Sequence, residues 1–113
     1  MLERRKRVLV VDEWSGWQGA VPVLDLTKQG GEVVVVKTAS DASPFFNGVA
    51  DAEVLIVGSA PGVADFVRNV RGRFDRLHII GLAEYRSELA NLGCNCFVAR
   101  DALPHVVKSR LHY

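Results

Sequence analysis

Five short apolar runs recur along the chain: Val8 to Val11, Val33 to Val36, Val54 to Val57, Leu77 to Ile80 and Cys96 to Ala99. Each is mostly β-branched or aliphatic, and none alternates apolar with polar residues. A strand with one wet face alternates; a strand covered on both faces does not, so these runs predict buried parallel strands. Between them the apolar period lengthens to that of a helix. Over Pro61 to Arg76, the residues Val63, Phe66, Val67, Val70 and Phe74 share one face, and Pro61 suits the first helical position. Glu84 to Leu92 places Tyr85, Leu89 and Leu92 together, with Gly93 as its stop. Asp101 to Leu111 carries a stripe of Leu103, Val106, Val107 and Leu111.

The remaining connections are less regular. Ser15 and Gln18 have capping-box spacing, Pro22 implies a kink or late start, and Gly30-Gly31 ends that helix. Pro44 to Ala50 offers about two turns. Five β/α units with right-handed crossovers predict a flavodoxin-like, doubly wound sheet of five parallel strands. The expected order is 2-1-3-4-5, with helices on both faces and one domain over residues 1–113. Such a sheet gathers its chemistry at the carboxyl ends of strands one and three.

Those ends carry unequal chemistry. Strand one runs into Asp12-Glu13, an acid pair suited to a cation. Strand three runs into Gly58-Ser59, with no carboxylate to complete the set. Asp12 and Glu13 are therefore the only metal candidates, and no metal is expected, because an oxygen ligand is missing. They are read equally as an ion-pair site with Arg100 or as plain polar strand-end residues. Trp14 and Trp17 follow directly; they could contact a planar ligand or a partner, or pack the first helix, which suits Trp17 better.

Composition narrows the function further. The 113 residues are 49% apolar, and 14 basic against 13 acidic residues leave a net charge of +1. That balance argues against a globally basic nucleic-acid binder. Arg4, Arg5, Lys6 and Arg7 with Arg68, Arg71, Arg73 and Arg76 could form a basic patch. Asp65 and Asp75 dilute it, so a solvated face is the preferred reading. No apolar run of about 18 residues is present, and the basic Met1 to Arg7 leads into a short strand, so no signal peptide is expected. A soluble cytoplasmic protein is expected, with no membrane partner.

Cys94 and Cys96 are two apart in an expected strand, which would point both thiols to one face. A disulfide between them would be strained, and His78, His105 and His112 have no ligand-like spacing, so two reduced thiols are expected. Gly58-Ser59-Ala60-Pro61-Gly62 could cradle an anion at a helix start but lacks both nucleotide-loop spacings.

Arg7 to Glu13, Ala52 to Val57 and Leu92 to Pro104 resemble the first strand with its acid pair, the third strand, and the fifth strand with the turn into the last helix of bacterial response-regulator receiver domains. The resemblance covers almost all of the chain. It implies that Gly58 stands where the family has its phosphoacceptor aspartate. Leu82 then stands at the hydroxyl sensor, Arg100 at the phosphate-pairing lysine, and Phe97 at the aromatic switch. Glycine has no nucleophile, Ser59 has no evident base, and an arginine fork differs in reach from lysine. The resemblance thus implies a non-enzymatic pseudo-receiver, without cofactor, in two-component signalling or transcription control. It would dock a signalling kinase, a regulator or a second copy through its last two helices and fifth strand, with a homodimer as one form.

Two alternatives stand beside it. Val11 to Gly19, followed by Gly30 to Val36, also resembles the NAD-binding-like portion of trimethylamine-dehydrogenase-type flavoproteins. That resemblance implies a nucleotide- or flavin-associated accessory domain. A hydrolase built on Ser59 would need His78 or His105, which nothing in the spacing brings near.

Overall fold

The computed structural model describes residues 7–17, 32–103 and 105–107. The strands are β1 (Arg7–Val11), β2 (Glu32–Val36), β3 (Val54–Val57), β4 (His78–Leu82) and β5 (Cys96–Val98). They form one parallel sheet in the order β2-β1-β3-β4-β5, as the apolar runs predict. β1 and β3 are central and almost wholly buried, while β2 and β5, at the edges, are half-buried.

Two apolar layers sandwich the sheet. Leu9, Val11, Leu55, Val57 and Ile79 face one layer, covered by α1 (Ala39–Ala42), α2 (Val63–Arg73) and α3 (Arg86–Leu89). Val8, Val10, Val54, Ile56, Ile80 and Leu82 face the other, against Trp17, Leu103 and Val107. The period-2 alternation of a strand divides each apolar run between the two layers.

The helices differ from expectation in their limits. α1 begins before Pro44, at a Thr38 cap whose Oγ1 accepts from the Asp41 amide at 3.1 Å, and continues as a 3-10 turn over Ser43–Phe46. α2 begins at Val63, not Pro61, because Gly62 takes φ +77° and ends the preceding turn. The segment after β4 is a 3-10 turn (Ala83–Tyr85) leading into α3. A further 3-10 turn, Arg100–Ala102, follows β5. The expected Gln18 cap, Pro22 kink, Gly30-Gly31 stop, Arg4-Arg5-Lys6 cluster, Leu111 and His112 lie outside the described residues.

Two side-chain expectations are corrected. Cys94 and Cys96 do not share a face: β5 begins only at Cys96, so Cys94 joins the α1–α3 layer and Cys96 the opposite one. Both are free thiols, and burial pushes Cys94 up from 9.0 to about 11. The arginines of α2 are not a uniform solvated face either. Arg71 donates to Gly93 O at 2.9 Å, to the carbonyls of Phe74 and Asp75, and to Asn95 Oδ1 at 2.6 Å. Asn95 in turn exchanges hydrogen bonds with Ile79, so one arginine ties the end of α2 to the β4–β5 connection. Arg73 caps the Phe46 carbonyl, and Arg7 pairs with Glu32 and Asp51.

Candidate functional site

The register aligns Val11 with Val57 and Val57 with Gly81. One residue further on, Asp12, Gly58 and Leu82 lie side by side. By alternation they face the same layer as Val10, Ile56 and Ile80. Arg100 follows Val98 on the neighbouring strand. The structure thus brings together Asp12, Gly58, Ser59, Leu82 and Arg100.

Asp12 is completely buried. Its Oδ1 accepts from the Ser59 amide at 3.0 Å, and its Oδ2 accepts from Trp17 Nε1 and from Arg100 Nη2, both at 2.9 Å. A buried carboxylate is stable only when paired and hydrogen-bonded, and here three donors converge on it. The guanidinium of Arg100 supplies the positive charge. Of the two readings for the acid pair, Asp12 takes the ion pair. Glu13 is exposed and accepts from Ser59 Oγ at 3.2 Å, so the adjacent acids have separate partners.

Arg100 is held on several sides. Its Nη1 pairs with Glu84 at 2.8 Å, and its guanidinium carbon lies 4.3 Å from the Trp14 ring centre and 5.3 Å from that of Trp17. The two indoles meet edge to face at 5.4 Å. Trp17 is 2% exposed and Trp14 39%, so Trp17 is the core residue and Trp14 an outer cover over the arginine. Glu84 was not singled out from sequence; its place two residues past Leu82, at the end of β4, is the signal that could have found it.

Gly58 is closely surrounded. A Cβ there would lie 2.6 Å from Asp12 Oδ1 and 2.7 Å from Leu82 Cδ1. The side chains of Asp12 and Leu82 therefore occupy the space that any residue larger than glycine would need. Phe97 lies apart, on the opposite layer. Its ring covers Gly81, where a Cβ would approach it to 2.6 Å, and Arg86 stacks on it at 5.4 Å. His78 begins β4, at the opposite end of that strand from Leu82.

Among the described residues, no group of three His, Cys, Asp or Glu side chains could hold a metal ion. No described helix is long and apolar enough to cross a membrane.

Neither protein-family models nor curated proteins match the chain. Solved structures do, response regulators among them. TrrA of Thermotoga maritima, solved with Mg2+ and BeF, is 25% identical with a TM-score of 0.73, over 93% of this chain and 98% of that one. HP1043, an orphan response regulator of H. pylori, is 16% identical with a TM-score of 0.73, over 96% and 100%. The non-phosphorylated HemR receiver domain of Leptospira biflexa is 20% identical with a TM-score of 0.67, over 95% and 91%. The chain has the receiver fold of these proteins. This does not favour the flavoprotein resemblance.

Proposed function

We propose that this chain is a single-domain, cytoplasmic pseudo-receiver that serves signal transduction or transcription control by docking a protein, with no aspartyl-phosphate cycle. The observation that carries this reading is the internal pairing of Asp12. Both of its oxygens are committed within the chain, Arg100 stands as its counter-cation, and Asp12 and Leu82 close over Gly58. Phosphoryl transfer relies on positioning and on charge stabilisation by metal ions and cations. Here Gly58 offers no carboxylate at the end of β3 to accept the group, and Arg100, which would stabilise it, is already paired with Asp12. Ser59 has only Glu13 beside its hydroxyl, and that carboxylate is exposed.

Docking is assigned to α3, β5 and the segment after β5. In support, β5 is an edge strand with half-buried Cys96, Phe97 and Val98, a surface onto which a signalling kinase, a regulator or a second copy could add. The test is incubation with acetyl phosphate and Mg2+, read by intact mass, and titration with beryllofluoride and Mg2+, read by tryptophan fluorescence. No phosphoryl adduct and no saturable change are expected. Either one would overturn the reading.

A further inference from the structure

A cleft of about 170 Å³ opens beside the ion pair, at the carboxyl ends of β1 and β2, lined by Trp14, Ser15, Trp17, Val35 and Lys37. Three of these five residues are apolar or aromatic. Among the described lining residues Lys37 is the one charged side chain, and it is exposed. Neither nearby acid pairs with it: Asp12 is held by Arg100, and Glu13 keeps its charge but bonds the Ser59 hydroxyl. Among the described residues no carboxylate pairs with Lys37. Trp14 is one of two exposed large hydrophobics in the described chain, the other being Val49 on a distant loop.

We infer that this cleft binds a small aromatic carboxylate, with its ring against Trp14 and Val35 and its charge on Lys37. Three features select that class. The volume lies below the roughly 300 Å³ at which drug-sized pockets begin, which limits the ligand to about one ring. Trp14, 39% exposed and packed edge to face on the buried Trp17, offers aromatic surface to a flat apolar body. An ammonium in the wall selects a negative charge, and Ser15, which lines the same cleft, carries a hydroxyl able to donate a hydrogen bond. Inorganic phosphate would leave the apolar wall unfilled, and a cation would meet Lys37 with like charge. Strand ends in open α/β sheets are the usual ligand crevice, which suits the position of the cleft.

The inference is independent of whether the domain is phosphorylated, and its test uses other reagents. The probe is benzoate, titrated into the full chain and followed by tryptophan fluorescence and by saturation-transfer NMR of the benzoate protons. Saturable binding with a dissociation constant below about 5 mM is expected. Benzamide, of the same shape but neutral, should bind at least tenfold more weakly, and phosphate should not compete. Lys37→Gln, at an exposed position, should keep the fold by circular dichroism and weaken benzoate at least tenfold. No saturation by 20 mM, equal binding of benzamide, or unchanged affinity in folded Lys37→Gln would each overturn the inference.

Discussion

Arg100 neutralises Asp12 from the far side of the site: its Nη2 lies 2.9 Å from Asp12 Oδ2, across 88 residues of sequence. The acid ends β1 and the arginine follows β5, two strands that are not neighbours. This single contact spans the carboxyl ends of β3 and β4, and Glu84 extends it into the β4 loop. The pair is asymmetric, since Asp12 is fully buried while the Arg100 side chain is 22% exposed. Loss of the arginine therefore leaves a buried carboxylate without its counter-charge.

That asymmetry predicts unequal mutants. Arg100→Gln should cost about 3–5 kcal/mol, the usual penalty for breaking a buried pair from one side. Asp12→Asn should cost less, because the more exposed arginine keeps Glu84 and the indole stack. The double variant should show a coupling energy of about 1–3 kcal/mol. Urea denaturation of the four proteins measures all three values. Additive single effects would show that the two side chains do not act as a pair.

A carboxylate at position 58 should not restore receiver chemistry. Gly58→Ala already places a Cβ within 2.7 Å of both Asp12 and Leu82. Overpacking of this kind costs about 1–3 kcal/mol. Gly58→Asp should cost more, because it also adds a second acid beside a buried one. Neither variant should accept phosphate from acetyl phosphate. Leu82→Ala should recover part of the loss in Gly58→Ala. A Gly58→Asp protein as stable as the parent, or a phosphoryl adduct by mass, would contradict this packing.

The two tryptophans should separate cleanly. Trp17→Phe removes the indole N–H from a buried carboxylate, which leaves Asp12 short of a donor at about 1–3 kcal/mol. Trp14→Phe keeps a ring over Arg100 and should change stability by less than about 0.5 kcal/mol. Trp14→Ala should lose about 0.5–1 kcal/mol, the scale of an exposed cation–π contact. Thermal melts rank the three variants. Reversal of the Trp14 and Trp17 order would mean that the outer ring, and not the inner N–H, secures the pair.

The architecture was legible because parallel strands buried on both faces write themselves as unbroken apolar runs, and five of them with helical spacing between leave few topologies. The depletion at Gly58 was equally plain, since a missing side chain needs no coordinates to be seen. What made glycine necessary there was not visible: Asp12 and Leu82 meet only when β1 and β4 flank β3. The tie made by Arg71, read only as part of a basic face, and the place of Glu84 were missed for a related reason. Their partners are carbonyls and a guanidinium brought close by the fold, and local periodicity carries no trace of such contacts. The cysteines were misassigned because strand alternation was extended two residues too far. At Asn95 the backbone bends, and its side chain, not its carbonyl, receives the Ile79 amide.

Cys94 gives the last prediction, in alkaline solution. Burial holds its thiol at about 11 in the folded chain, with Arg71 nearby opposing part of the rise, against 9.0 as the ordinary value. Below about pH 9 the thiol is protonated in folded and unfolded chains alike, and its contribution to stability is fully present. Between about 9 and 11 the unfolded chain releases the proton while the folded chain retains it. Unfolding is then favoured, so stability falls as pH rises across that window. Cys94→Ala should remove this component, which appears as the difference between urea midpoints of parent and variant at pH 8, 9, 10 and 11. The same burial should slow alkylation: in a Cys96→Ser protein, iodoacetamide should modify Cys94 much more slowly at pH 8 than a free thiol. A difference in midpoints that stays constant from pH 8 to 11, or alkylation at the rate of free cysteine, would place this thiol in water and not against the sheet.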